Sequence, residues 1–173
     1  MNVLLAYTCQ TGLEEKYYGL LRDVMDIIYT NNHKIYLGGL SYALKDTLPK
    51  YADAIVCYSV EKYKSEIENC PNCNYILVQN SFERTKILLE ETDCVIITPG
   101  GTGTIAEFYT ILEEYRTIEA KKKLYVLNLD GHYDTLLHSI RDLVAKGFNK
   151  EDIFNYIEEI DIAKLKEIMK EGK

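Results

Sequence analysis

The chain has 173 residues, 47% hydrophobic and 27% charged, an ordinary globular balance and a length suited to one domain with one sizeable core. Its net charge of −7 excludes a nucleic-acid backbone as the main partner, because such binding needs a basic footprint, whereas a mononucleotide needs only one local electropositive pocket. No apolar run approaches the roughly 20 residues that cross a bilayer, so no membrane partner is expected.

Short apolar runs alternate with longer helical stretches. Residues 3–7 read as a strand, and residues 13–29 as a helix with Leu20, Leu21, Val24 and Ile28 on one face. Residues 34–37 form a short strand that closes on Gly38-Gly39. A helix follows over about 41–51, then a strand over 54–58. Residues 61–74 are less regular: a charged helical piece runs into a turn at Cys70-Pro71-Asn72-Cys73. Residues 75–78 read as one more short strand, and Ser81 as the N-cap of a helix ending near Glu91. Cys94-Val95-Ile96-Ile97 is a continuous apolar run, the pattern of a strand buried on both faces. A helix over 104–120, a strand over 124–127 and a helix over 133–146 come next. Two short acidic helical pieces, 152–157 and 162–170, close the chain.

This alternation predicts an α/β fold: a Rossmann-like, doubly wound parallel sheet covered on both sides, one domain over residues 1–173. In such sheets ligands sit at the carboxyl ends of the strands, near the point where the winding reverses. The loops at 8–12, 38–41, 99–104 and 128–132 are therefore where chemistry is sought.

The residue counts carry less information. Five cysteines (Cys9, Cys57, Cys70, Cys73 and Cys94) are an odd number at irregular spacing, which argues against a secreted disulfide scaffold. The single C-x-x-C at 70–73 has too few ligands for a structural zinc site, and no metal is implied; we read it as coincidence or a weak structural role. The apolar N-terminus lacks the basic leader and long apolar region of a signal peptide, so a cytoplasmic location is expected. The 15 tyrosines read as surface and pocket material, and His132 as a turn residue.

The segment Pro99-Gly100-Gly101-Thr102-Gly103-Thr104 follows a buried strand and opens a helix. Its glycines permit a sharp turn and a close approach to a ligand. The first helical N–H groups have no intrahelical partners and, with the helix dipole, form an anion site. Thr102 and Thr104 add hydroxyls, so a phosphate suits this loop. The pattern is neither a Walker A loop, which ends in Gly-Lys-Ser/Thr, nor a dinucleotide fingerprint, which belongs after the first strand. Glu107 is expected on the first turn of the same helix and admits two readings: a charge matched to the dipole, or a carboxylate held beside a bound phosphosugar.

Pro99-Gly100-Gly101-Thr102-Gly103-Thr104-Ile105-Ala106-Glu107 resembles the P-G-G-x-G-T-x-x-E signature of the Lonely Guy (LOG) family, long described as possible lysine decarboxylases. Glu83-Arg84, followed by Thr85-Lys86, resembles that family's H-E-R-K segment. Residues 128–133, with Leu136-Leu137, resemble its N-V-D-G-Y-Y…L-L stretch, and Gly147-Phe148 its G-F. The likeness covers about residues 82–148. The first eighty residues follow the family pattern less closely, keeping Gly38-Gly39 of a longer glycine run and Thr8-Cys9-Gln10-Thr11 where a C-G-S-S-like turn is usual.

The resemblance implies a nucleoside 5′-monophosphate as partner and hydrolysis of its N-glycosidic bond to free base and ribose 5-phosphate, with no cofactor. It assigns Arg84 and Glu107 as catalytic residues and Gly100, Gly101, Thr102, Gly103 and Thr104 as phosphate contacts. Thr8 and Gly39 complete the expected substrate contacts. It also implies a homodimer, for which Phe108, Ile111, Leu112 and Tyr115 supply a core and partner face. Two other readings stand beside the hydrolase: a protein of the same fold that binds a nucleotide-derived ligand without cleaving it, and a nucleoside (deoxy)ribosyltransferase.

Overall fold

The computed structural model describes residues 1–39, 44–69 and 72–172. Its strands are β1 (Asn2–Ala6), β2 (Lys34–Leu37), β3 (Ile55–Val60), β4 (Asn74–Val78), β5 (Cys94–Ile97), β6 (Leu124–Leu127) and β7 (Ile157–Ile160). They form one sheet in the order β4-β3-β2-β1-β5-β6-β7, every neighbouring pair parallel. The chain winds outward from β1 through β4, returns to the other side of β1, and winds outward again from β5. The expected α/β doubly wound architecture is therefore present, and its reversal lies between β1 and β5. All carboxyl ends share one edge.

Five helices cover the sheet: α1 (Glu15–Thr30), α2 (Ser81–Glu91), α3 (Thr102–Thr117), α4 (Asp134–Ala145) and α5 (Ile162–Glu171). Alternate residues of each strand feed opposite cores. Val3 and Leu5 pack with Leu21, Val24 and Met25 of α1 and Leu165 and Met169 of α5. Leu4 and Ala6 pack with Leu88 of α2, Ile111 and Leu112 of α3, and Leu137 and Ile140 of α4. No helix among the described residues is long and apolar enough to cross a membrane.

Several boundaries differ from the sequence reading, each for a local reason. Of the helix expected over 41–51, residues 41–43 lie outside the described residues. The remainder holds no α-helix among the described residues; a 3-10 turn lies at Leu48–Tyr51, where Pro49 removes a backbone donor. The N-cap of α2 is Asn80 rather than Ser81; its side chain accepts from the Glu83 N–H at 3.0 Å. The acidic piece near 152–157 is a 3-10 segment, Glu151–Tyr156, that runs directly into β7, a strand missing from the sequence reading. As an edge strand, β7 exposes Glu159 and pairs Glu158 with Lys123 at 2.8 Å, so it shows no continuous apolar run. Cys73 is disulfide-bonded, while Cys70 and Pro71 of the same turn lie outside the described residues.

The tyrosines also need correction. Tyr51, Tyr115 and Tyr133 are among the largest fully buried side chains, and Tyr7, Tyr36 and Tyr58 are buried as well. Burial requires a partner for the hydroxyl. Tyr133 donates to the Thr98 carbonyl at 2.7 Å, whereas the Tyr115 hydroxyl is buried without a hydrogen-bond partner.

This contrast predicts opposite responses to the same deletion. Tyr133→Phe strands a buried carbonyl and is expected to lower unfolding free energy by about 1 kcal/mol, while Tyr115→Phe is expected to leave it unchanged or raise it. Urea unfolding of the two variants checks this; equal losses would refute the assignment.

Candidate active site

The loops after β1, β2 and β5 meet at the winding reversal around a cavity of about 410 Å³. Thr8, Gly39, Arg84 and Glu107 line it, as do Gly101, Thr102, Gly103 and Thr104. Of the residues expected at the site, only Gly100 is absent from the wall. The sequence reading missed Gly38, Cys9, Gln10 and Tyr63, which line it too.

The members of the glycine loop divide by role. Gly100 is buried, and a Cβ there would lie 2.2 Å from Thr104 Oγ1 and 2.6 Å from Thr104 Cβ. Thr104 is buried in turn, and its hydroxyl donates to the Tyr7 carbonyl at 3.2 Å. These two residues therefore hold the loop against the end of β1, and the Thr104 hydroxyl is committed to the fold. Gly101 and Gly103 differ: a Cβ at either meets nothing within 4 Å. Gly101 is the N-cap of α3 and supplies no side-chain cap, and the Ile105 N–H bonds back to its carbonyl at 3.0 Å. The earlier N–H groups of the first turn open at the cavity wall, where the dipole favours an anion.

Opposite this loop lie the two charged residues. Arg84 sits near the start of α2, just beyond the Asn80 cap, and its Nη1 donates to the Gly38 carbonyl at 2.8 Å. Glu107 comes from the second turn of α3 and not the expected first, because the helix begins at Thr102, two residues earlier than the sequence reading put it. A Cβ at Gly38 would stand 3.5 Å from Arg84 Nε and 3.5 Å from Glu107 Oε1, so both atoms lie beneath the same bare patch of backbone. Arg84 Nε and Glu107 Oε1 are both buried without a hydrogen-bond partner. Glu107 is half-buried as a residue, yet this oxygen is sealed from solvent. Burial pushes its carboxyl above the usual carboxylate range, and the Arg84 charge works against that rise. Gly39 completes the turn with φ of +146°, a conformation that favours glycine.

The loop after β6 contributes from behind. Asn128 Oδ1 accepts from the Tyr133 N–H at 2.7 Å, and its Nδ2 donates to Asp134 at 2.7 Å and Glu159 at 2.9 Å. Asp130 and Gly131 both have positive φ. This turn aims His132 Nε2 at the Gly100 carbonyl, 2.9 Å away, and the Tyr133 hydroxyl at the Thr98 carbonyl. Because a carbonyl only accepts, Nε2 carries the proton. His132 is thus more than a turn residue: it braces the glycine loop without lining the cavity. The Asp-Gly step before it was the one available signal. Thr85 and Lys86 do not line the cavity; Thr85 bonds to the Ser81 carbonyl and Lys86 pairs with Glu90.

The division within the loop predicts that Gly100→Ala destabilises the fold by about 1–3 kcal/mol through overpacking against Thr104. Gly103→Ala, on an open helical position, should keep or raise the melting temperature while weakening binding of ribose 5-phosphate. Thermal melts and titration calorimetry on both variants check this. Equal melting losses would mean that both glycines serve the fold alone.

Comparison with known proteins identifies the family. A family model described as "Possible lysine decarboxylase" matches residues 45–170, which includes Arg84, the glycine loop and Glu107 but not Thr8 or Gly39. The cytokinin riboside 5′-monophosphate phosphoribohydrolase LOG of Oryza sativa subsp. japonica is 27% identical over 128 residues, 74% of this chain and 52% of that protein. Its counterpart LOG5 of Arabidopsis thaliana is 35% identical over 75 residues, 43% of this chain and 33% of that protein. The chain thus spans about half or less of the length of these curated relatives. Among solved structures, the molybdenum cofactor carrier protein of Chlamydomonas reinhardtii superposes with a TM-score of 0.62 at 15% identity, over 98% of this chain and 96% of that one. The molybdenum cofactor binding protein of Rippkaea orientalis gives 0.59 at 16%, over 98% and 94%. At such identities these two establish a shared fold. The family model, spanning most of the chain and both charged site residues, is the stronger link: this chain belongs to the LOG family, that of the possible lysine decarboxylases.

Proposed function

We propose that this protein hydrolyses the N-glycosidic bond of a nucleoside 5′-monophosphate, releasing the base and ribose 5-phosphate. The observation that carries this reading is the pair of buried, unpartnered polar atoms, Arg84 Nε and Glu107 Oε1, beneath Gly38 at the wall of a cavity that opens on a helix N-terminus. A buried arginine nitrogen and carboxylate oxygen left unbonded cost the fold stability, and such a cost at a cavity wall is characteristic of a functional site.

The phosphate binds at the first turn of α3, against the N–H groups beside Gly101, Thr102 and Gly103. That remote contact anchors the ribose over Glu107. As the bond between C1′ and the base nitrogen breaks, its electron pair leaves with the base and positive charge grows on the sugar, as in glycoside hydrolysis. The Glu107 carboxylate stabilises that charge and orients the water that attacks C1′; the proton lost by water ends on the departing base. Arg84 holds a ribose or phosphate oxygen with its planar fork, while its bond to Gly38 fixes its direction. Lysine decarboxylation is a poor fit. That chemistry uses pyridoxal phosphate on a Schiff-base lysine, and no lysine lines the cavity among the described residues.

Glu107→Gln is expected to lower release of free base from a nucleotide panel by about 10²–10⁴-fold, the usual worth of a positioned acid–base group. The ionised carboxylate is the working form, and burial raises its pKa. Activity should therefore fall with falling pH through a limb above the ordinary carboxylate range. Binding of nucleotide by the wild type without any base release would favour the ligand-binding alternative. Release that depends on an added acceptor base would favour transfer.

The proposed homodimer needs a different face from the one expected. Phe108, Ile111, Leu112 and Tyr115 are all buried within this chain's own core. Large apolar residues left exposed nearby are Phe82 at 84% on α2 and Ile118 at 65% just after α3, beside a groove with Leu89 and with Lys and Glu of both signs. A patch of this kind suits a self-complementary interface. Sedimentation at micromolar concentration is expected to give the mass of two chains for the wild type and of one for Phe82→Glu; a wild-type mass of one chain would refute it.

A further inference from the structure

A nucleotide anchored by its phosphate at α3, with its sugar over Glu107, must direct its base at whatever part of the cavity wall remains. The remaining described wall is the turn after β1, with Cys9 and Gln10, and the 3-10 segment after β3, with Tyr63. Tyr7 also lines the cavity, but it is buried and its hydroxyl donates to the Gly39 carbonyl at 3.0 Å. Tyr63 is the other aromatic side chain on the described wall, and it is 42% exposed. It sits at a break in its segment, φ −106° and ψ +19°, where the helical path is interrupted. The Lys62 ammonium lies 5.5 Å from its ring centroid, and no other ring contacts it among the described residues. An exposed aromatic ring with this freedom on a cavity wall is a surface on which a planar heterocycle stacks.

Gln10 supplies a polar group on the same cavity wall. Its backbone is pinned, the N–H donating to Thr8 Oγ1 at 3.1 Å and the carbonyl accepting from Tyr18 at 2.9 Å. Its side-chain amide makes no hydrogen bond among the described residues. An amide offers donor and acceptor together, the pairing that reads the edge of a base.

We propose that Tyr63 and Gln10 form the base subsite, Tyr63 as stacking platform and Gln10 as edge reader, for a flat heterocyclic base. The proposal rests on the nucleotide reading above and deepens it.

The test compares AMP, GMP, CMP and UMP with ribose 5-phosphate, which lacks a base, by titration calorimetry. Tyr63→Ala is expected to weaken the tightest nucleotide about 5- to 150-fold, the worth of one base–aromatic stack, and to leave ribose 5-phosphate unchanged. Tyr63→Phe, which keeps the ring, should stay within about 3-fold of wild type. Gln10→Ala should narrow the differences among the four nucleotides. Unchanged nucleotide affinity in Tyr63→Ala, or equal weakening of ribose 5-phosphate, overturns the base subsite while leaving the hydrolase reading intact. A wild-type chain that binds none of these ligands overturns both.

Discussion

The site depends on the hydrogen-bonded seam between β1 and β5. Leu4, Leu5 and Ala6 register against Val95, Ile96 and Ile97, and the pairing continues past the strand ends. The Thr98 N–H and hydroxyl both reach the Ala6 carbonyl, and the Thr104 hydroxyl reaches that of Tyr7. This seam marks the reversal of winding, where no crossover helix fills the space between the two outgoing loops. It leaves a cavity there and fixes the first turn of α3 on its rim. The loop after β6 reinforces it from behind, through His132 to Gly100 and Tyr133 to Thr98.

The glycines then separate into those the polypeptide needs and those the cavity needs. Gly100 and Gly39 answer backbone constraints, one a near-contact with Thr104 and the other a positive φ. A Cβ at Gly38 would meet Arg84 Nε and Glu107 Oε1 at ordinary van der Waals distance, so their approach does not itself require a glycine there. Gly101 and Gly103 answer no described contact, which agrees with a ligand approaching the helix terminus closely. The motif is a composite of structural and functional positions, and a consensus pattern alone does not distinguish them.

Glu107 shows the tension between stability and function. Burying a carboxylate favours its neutral form, and the nearby Arg84 compensates only in part. Sites that pay for such desolvation are ones where a ligand or transition state gains from it. Arg84 has the matching problem: Nη1 is satisfied by Gly38 and Nε is not. Two orphaned atoms of opposite charge at one spot are a stronger indication of a site than either residue on its helix.

The sequence by itself determined the α/β class, most of the strands and the glycine loop, and through the family resemblance it raised the expectation of a role for Arg84 and Glu107. These are legible because buried parallel strands must be continuous apolar runs, and because a glycine-rich strand-to-helix turn has few other uses. It did not yield β7, whose edge position lets glutamates occupy a strand, nor the buried tyrosines, whose hydroxyls need distant carbonyls. Only the tertiary structure separated Gly100 from Gly103, turned His132 from a turn residue into a brace, and brought Gly38, Gln10 and Tyr63 to the cavity. Those roles depend on contacts between loops of β1, β2, β3, β5 and β6, segments far apart in the chain. Local sequence encodes the bend of each loop, but the sheet order decides which loops meet.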